Sequence, residues 1–199
     1  HTHTHTHSYI CYKNCYKCSS LFSDACDLTL DPNTANTQLI LSEDNRKVTC
    51  VNVEQSYPDY PDRFECYPQV LCKEPLTGRC YWEVEWTGWG VFISVSYKNI
   101  HRSKERRDDS VFGFNKKSWS LHCSDRCIRA RHDSKGTIVS ASSPPSNRIG
   151  VCLDWSAGTL SFYSVSDTQT LTHLHTFNTT FTQPLYAGFN VYLASSVSL

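Results

Sequence analysis

Four groups of side chains in this sequence have the types and spacing that chemistry requires. His173 and His175 stand two apart in a run of strand character, so both imidazoles fall on one face, as two ligands of a metal ion would. No third ligand accompanies them, and ordinary histidines on a polar face are expected. Cys11, Cys15, Cys18 and Cys26 follow a C-x3-C-x2-C-x7-C spacing that loosely matches a zinc knuckle but lacks a convincing second pair. The alternating His1, His3, His5 and His7 have metal-binding potential, yet a cytosine-adenine repeat read in frame encodes His-Thr without end, so residues 1–7 are set aside from the fold. Glu83 and Glu85 share a strand face, which invites an acid-base or a binding role. G-x-S-x-G, H-E-x-x-H, the phosphate-binding loop and the dinucleotide glycine pattern are all absent. The expectation is a chain that is not an enzyme, with neither a metal nor a cofactor.

Composition narrows the partners. Nineteen Lys and Arg balance nineteen Asp and Glu, so there is no global field to hold a nucleic acid or an anionic lipid surface. The apolar runs are far shorter than the roughly 20 residues that span a bilayer, so no membrane insertion is expected. A chain without Met reads as the carboxy-terminal piece of a longer product. Its eleven Cys are an odd number at a density below that of small secreted frameworks, and Cys50, Cys66, Cys72, Cys80 and Cys152 stand in or beside apolar runs. Reduced thiols and a cytoplasmic setting are expected, where the acceptor pattern Asn178-Thr179-Thr180 carries no glycan.

The elements that must position any site are strands. From Asp27 onward, short alternating runs are separated by turn residues, and no run looks like a long helix. Leu39-Ile40-Leu41 and the run of Val48, Cys50 and Val51 flank a turn at Ser42-Glu43-Asp44-Asn45. Two prolines make residues 55–63 a long loop. Cys80, Trp82, Val84 and Trp86 share one face of the clearest strand, and Val91, Ile93, Val95 and Tyr97 repeat the alternation beyond Thr87-Gly88, which predicts a hairpin. Ile149, Val151 and Leu153 turn through Asp154 to Gly158 into Leu160 and Phe162, a second hairpin, and the runs around Leu174, Phe177, Phe181 and Leu185 to Leu193 close the fold. Each strand offers one apolar face that another sheet must cover, which predicts an all-β sandwich of two antiparallel sheets. Trp82, Trp86, Trp155 and Phe162 are assigned to its core.

The ordered series Leu28-Thr29-Leu30-Asp31, Leu39-Ile40-Leu41-Ser42-Glu43-Asp44, Gly78-Arg79-Cys80-Tyr81-Trp82-Glu83-Val84-Glu85 and Leu153-Asp154-Trp155-Ser156-Ala157-Gly158-Thr159-Leu160-Ser161-Phe162-Tyr163 resembles the PRY-SPRY family. The resemblance divides the chain into a leader at 1–23 and a domain at 24–199, with PRY at about 24–76 and SPRY at about 77–199. It implies a bent sandwich of the concanavalin-like jelly-roll type that binds other proteins through loops at one end. It also implies that Glu83 and Glu85 pair with an arginine on a neighbouring strand. Within the family the chain is similar to the carboxy-terminal domains of stonustoxin-like proteins and of fish tripartite-motif and NACHT receptor proteins. A tripartite-motif parent would carry a ubiquitin-ligase RING upstream, with this part choosing its substrate; a NACHT receptor parent would use it to sense or assemble.

The loops supply the candidate contacts. Residues 57–64 combine aromatics, stiff prolines and an arginine, which favours Tyr57, Tyr60, Arg63 and Phe64 as ligand-binding residues. The mixed charge run at 101–109 adds Arg102 and Arg106 as a rim. Trp119-Ser120-Leu121-His122-Cys123-Ser124 resembles the family segment that leaves the core and walls the binding surface, placing His122 and Ser124 there, and Phe189-Asn190-Val191-Tyr192 resembles its last wall, with Tyr192 exposed. The function expected is recognition of a protein or peptide ligand, with oligomerisation through upstream domains. The rivals are subunit packing in a stonustoxin-like pore-forming protein and a zinc-dependent module made by the Cys-rich leader and the His repeat.

Overall fold

The computed structural model describes residues 24–102, 104–140 and 146–199; the leader, its His-Thr repeat, Cys11, Cys15 and Cys18 lie outside the described residues. The described residues contain thirteen strands in two antiparallel sheets, as the alternation predicts. The first sheet has seven strands: β1 (Leu39–Ser42), β2 (Lys47–Cys50), β4 (Arg79–Thr87), β9 (Arg148–Asp154), β10 (Thr159–Val165), β11 (Leu171–Asn178) and β13 (Ser196–Ser198). Its spatial order is β1-β2-β13-β4-β9-β10-β11. The second has six: β3 (Gln69–Leu71), β5 (Gly90–Tyr97), β6 (Ser118–Ser124), β7 (Ile128–His132), β8 (Lys135–Ser140) and β12 (Leu185–Val191), in the order β3-β12-β5-β6-β7-β8. Among the described residues no helix is long and apolar enough to cross a membrane.

Inner faces meet in one core. Trp82, Val84 and Trp86 of β4, Ile149, Val151 and Leu153 of β9, and Leu160 and Phe162 of β10 pack against Val91, Ile93 and Val95 of β5, Leu121 of β6 and Phe189 of β12. Trp155 is partly buried against the same cluster. The amino-terminal third builds both sheets, since β1 and β2 extend the first through β13 while β3 edges the second beside β12. Leu28 and Leu30, outside any strand, are buried all the same.

The hairpin expected across Thr87-Gly88 does not exist. β4 pairs with β9 and β13, while β5 pairs with β12 and β6, so the turn carries the chain from one sheet to the other. Two strands facing each other across a core show the same alternation as two neighbours in one sheet, because both present an apolar face to a shared interior. The crossing is fixed by Gly88 at φ +95°, where a Cβ would lie 2.5 Å from the Ala194 carbonyl oxygen. The hairpin β9-β10 forms as the sequence predicts, and β1 and β2 pair across the turn at Ser42 to Asn45.

Every residue of β5 is buried, not only its inward half. On the outer face of the second sheet, Leu71 of β3 joins Phe64, Ile100 and Phe112, carried by the loops before β3 and after β5, in a second small cluster, while Phe114, His122 and Tyr192 meet the Phe92 ring. These loops cover only part of that face.

The thiols need one correction. Cys26 and Cys80 form a disulfide, whereas reduced cysteines were expected throughout; residues 54 apart meet because Ala25 bridges to Tyr81 beside β4. Cys50, Cys66, Cys72, Cys123 and Cys127 are free. Burial pushes the Cys72 and Cys123 thiols far up, so they act as packing groups.

Candidate functional site

Cross-strand register lays a row of side chains across the outer face of the second sheet. Gln69 pairs with Asn190, Asn190 with Phe92, Phe92 with His122, His122 with Arg129, and Arg129 with Ile138. Directly opposed residues share a face, so the row runs from an amide pair through an aromatic pair to a cation. Phe92 is at its centre. The His122 ring stacks on it at 4.5 Å, and Phe114 and Tyr192 meet it edge-on at 6.4 Å and 6.0 Å.

Above Phe92 opens a cleft of about 670 Å³, bounded chiefly by Tyr67, Trp89, Val111, Phe114, Tyr192 and Leu193, with Asp108 on one wall and Asn190 in its lining. Three of these large apolar side chains face water: Trp89 at 67% exposure, Leu193 at 51% and Tyr192 at 39%. The cleft thus gathers exposed aromatic and aliphatic groups around a concave floor.

Each wall is held by a buried polar group. Ser195 Oγ accepts hydrogen bonds from the Trp89 and Gly90 backbone N–H groups at 2.8 Å and 3.2 Å, tying the 88–90 crossing to the turn that carries Tyr192 and Leu193. Gly90 leaves room for the Tyr192 ring, whose atoms would lie 3.1 Å from a Cβ there. On the opposite wall, Gln69 Nε2 donates to the Ser110 carbonyl and Gln69 Oε1 accepts from the Phe112 N–H, both at 2.9 Å. Asn190 Nδ2 donates to the same oxygen at 3.3 Å. The loop bearing Asp108, Val111 and Phe114 is thereby fixed to β3 and β12.

Electrostatically the cleft is asymmetric. Burial holds the His122 imidazole well below the usual histidine range, at about 4, and the positive charges of Arg129 and Arg131 add to the effect. His122 is therefore neutral near pH 7. Burial also raises the Tyr192 phenol, keeping it protonated.

Of the expected contact residues, His122 and Tyr192 come together at the cleft. Ser124 is buried in the β6-β7 turn, where its Oγ donates to the Cys127 carbonyl at 3.1 Å. Arg63 and Phe64, expected on the recognition surface, are interior at 5% and 2% exposure. Arg63 donates four hydrogen bonds to the Pro58, Pro32 and Ala35 carbonyls, where the surrounding loop has no ladder to satisfy those oxygens. Tyr57 donates to the Leu39 carbonyl, Tyr60 is exposed, and both rings flank the Arg63 guanidinium. Arg102 lies over the Phe64 ring and donates to the Asp62 and Lys98 carbonyls, joining two loops; Arg106 is exposed. Trp89, Phe114 and Arg129 were missed. An unpaired Trp between glycines in Gly88-Trp89-Gly90 was the available signal for the first.

The other chemistry-bearing groups resolve into structure. His173 Nε2 is 2.7 Å from Thr176 Oγ1 and His175 meets Phe177 edge-on, both on the edge strand β11. No group of three or more potential metal ligands occurs among the described residues. Arg148 spans Glu83 and Glu85 at 3.9 Å and 4.0 Å, the arginine pairing that the resemblance implied.

Comparison with known proteins decides the family. The model of the SPRY-associated domain, PRY, matches residues 28–76, and that of the SPRY domain matches residues 79–199. The chain belongs to the PRY-SPRY family. It is 46% identical over 165 residues to stonustoxin subunit beta of Synanceia horrida, covering 82% of this chain and 23% of that protein. It is 40% identical over 167 residues to tripartite motif-containing protein 16 of Mus musculus, covering 83% of this chain and 29% of the relative. Thus this PRY-SPRY chain spans less than a third of the length of these relatives. Among solved structures, the TRIM65 PSpry domain superposes with a TM-score of 0.82 at 28% identity, covering 96% of this chain and 97% of that one. The stonustoxin structure superposes with a TM-score of 0.79 at 41% identity over 87% of this chain and 27% of the other.

Proposed function

We propose that this PRY-SPRY domain is a non-catalytic interaction module that recognises a protein or peptide ligand in the cleft above Phe92, as part of a larger protein of the innate-immune or ubiquitin-ligase type. The observation that carries the reading is the exposure of Trp89, Tyr192 and Leu193 around a 670 Å³ concavity whose walls are pinned to rigid sheets. Aromatic anchors on a fixed frame bind with little ordering cost, which is what hot spots require. Tyr60 and Arg106 are assigned to a peripheral rim.

The test is selection of random 12-residue displayed peptides on the full chain. Selected peptides are expected to lose at least tenfold in affinity for Trp89→Ala and Tyr192→Ala and to bind Thr172→Ala, on the remote edge strand, unchanged. Selection no better than on an unrelated β-sandwich, or binding indifferent to both cleft substitutions, would overturn the assignment. The relatives named as toxin subunits support a second reading, in which the cleft packs against another subunit. Sedimentation showing self-association that Tyr192→Ala abolishes would favour it.

A further inference from the structure

The cleft is flanked on one side by cations that join no ion pair among the described residues. Arg129 is the cross-strand neighbour of His122, and Arg131 follows on the same face of β7. Arg126 stands in the adjoining turn, and it and Arg129 are exposed. Among the described residues none of the three joins an ion pair. Arg131 is held in place, its guanidinium 4.3 Å from the Phe114 ring centroid with a hydrogen bond to the Ser134 carbonyl. Its charge and that of Arg129 are close enough to disfavour protonation of His122. Beyond Arg129 in the row, Ile138 on the edge strand β8 is 58% exposed. The chain as a whole is neutral, so this local excess is a feature of one face.

We infer that the occupant of the cleft is an acidic peptide segment, whose aromatic or large aliphatic anchor sits on Phe92 and Tyr192 while carboxylates further along the peptide lie on Arg129 and Arg126. The inference rests on the recognition role proposed above and specifies its ligand. Two strand spacings separate Phe92 from Arg129, roughly 10 Å, which an extended peptide crosses in about three residues. The ligand therefore has its acidic residues about three positions from the anchor, and the exposed Ile138 offers an apolar contact to the residues that follow. A carboxylate is favoured over a nucleic-acid phosphate because Asp108 lines the same cleft and the charge cluster is too small to follow a phosphate backbone.

The same random 12-residue peptide library is selected in parallel on the wild-type chain, on Arg126→Glu/Arg129→Glu and on Lys73→Glu, an exposed site elsewhere in the domain. Thermal melts establish that each variant is folded. On wild type and Lys73→Glu, enriched sequences are expected to carry Asp or Glu two to five positions from an aromatic residue, Leu or Ile. On the double variant that preference is expected to invert to Lys or Arg. Replacing the acids of a selected peptide by amides should weaken wild-type binding by roughly fivefold to tenfold at low salt. Enrichment of apolar anchors without acids, or the same acidic preference on the double variant, would overturn the inference while leaving peptide recognition intact. Displacement of the selected peptide by a twelve-nucleotide single-stranded DNA at equal concentration would also overturn it. Failure to enrich any sequence would remove both readings.

Discussion

His122 lies flat on Phe92, ring centroids 4.5 Å apart and planes 19° from parallel, and its buried Nε2 has no hydrogen-bond partner among the described residues. An imidazole in that position is favoured in its neutral form, because burial strips the water that would solvate a charge and two guanidinium groups, Arg129 and Arg131, repel it. The ring that stacks on Phe92, the floor of the cleft, is thus uncharged at neutral pH.

Acidification should therefore weaken the fold through this residue. The folded pKa, about 4, is below the ordinary histidine value of 6.5, so between these limits the unfolded chain binds a proton that the folded one does not. The contribution is complete above pH 6.5 and is lost as pH falls toward 4, with a slope of at most about 1.4 kcal/mol per pH unit. Urea denaturation from pH 7.5 to 4.5 should show His122→Phe losing less stability than wild type. Parallel curves for the two proteins would refute the linkage.

Ser195 is the positioning residue of the exposed wall. Its buried hydroxyl serves two backbone N–H groups, so Ser195→Ala leaves both without that partner, at a cost of about 1 to 3 kcal/mol. The substitution should also loosen Trp89, read as greater acrylamide quenching of the fluorescence component that Trp89→Phe removes. A stable Ser195→Ala protein with unchanged quenching would show that the crossing is held elsewhere.

How much of this was legible beforehand differs by level. Strand alternation in Cys80 to Trp86 and Ile149 to Leu153 exposed the sandwich, since a period of two survives in either sheet. Which strands pair did not emerge from it: β4 and β5 are consecutive and similarly patterned, yet face each other across the core. The cleft was half legible. His122 and Tyr192 came from motif position, whereas Arg129 reaches the site only through cross-strand register, which no local pattern encodes. Arg63 misled because an arginine among tyrosines and prolines has the composition of a hot spot, and only the carbonyls around it show that the loop is folded onto its guanidinium.

The Cys26–Cys80 disulfide closes a loop of 54 residues that includes the whole of β1 to β3. Constraining a loop of that length in the unfolded state contributes on the order of 2 to 4 kcal/mol. Non-reducing peptide mapping should recover the linked peptides, and Cys26→Ser/Cys80→Ser should lower the unfolding free energy by that amount. Recovery of both cysteines as alkylated free thiols from protein purified without reductant would contradict the pairing.

Arg63 offers the sharpest separation of framework from recognition surface. Its Nε and Nη2 donate to the Pro58 carbonyl at 3.1 Å and 2.8 Å, and Nη1 reaches the Pro32 and Ala35 carbonyls. The guanidinium therefore joins the 57–64 loop to the turn before β1, with the Tyr57 ring 5.1 Å from its carbon. Lysine has one nitrogen and cannot span three carbonyls in this forked geometry, so Arg63→Lys should be nearly as costly as Arg63→Ala, on the order of 3 kcal/mol. Both variants should still bind cleft-selected peptides at temperatures well below their melting points, because the guanidinium does not line the cleft. A surface contact residue would give the reverse: an unchanged melting temperature in either variant together with loss of peptide affinity would move Arg63 back to the recognition surface.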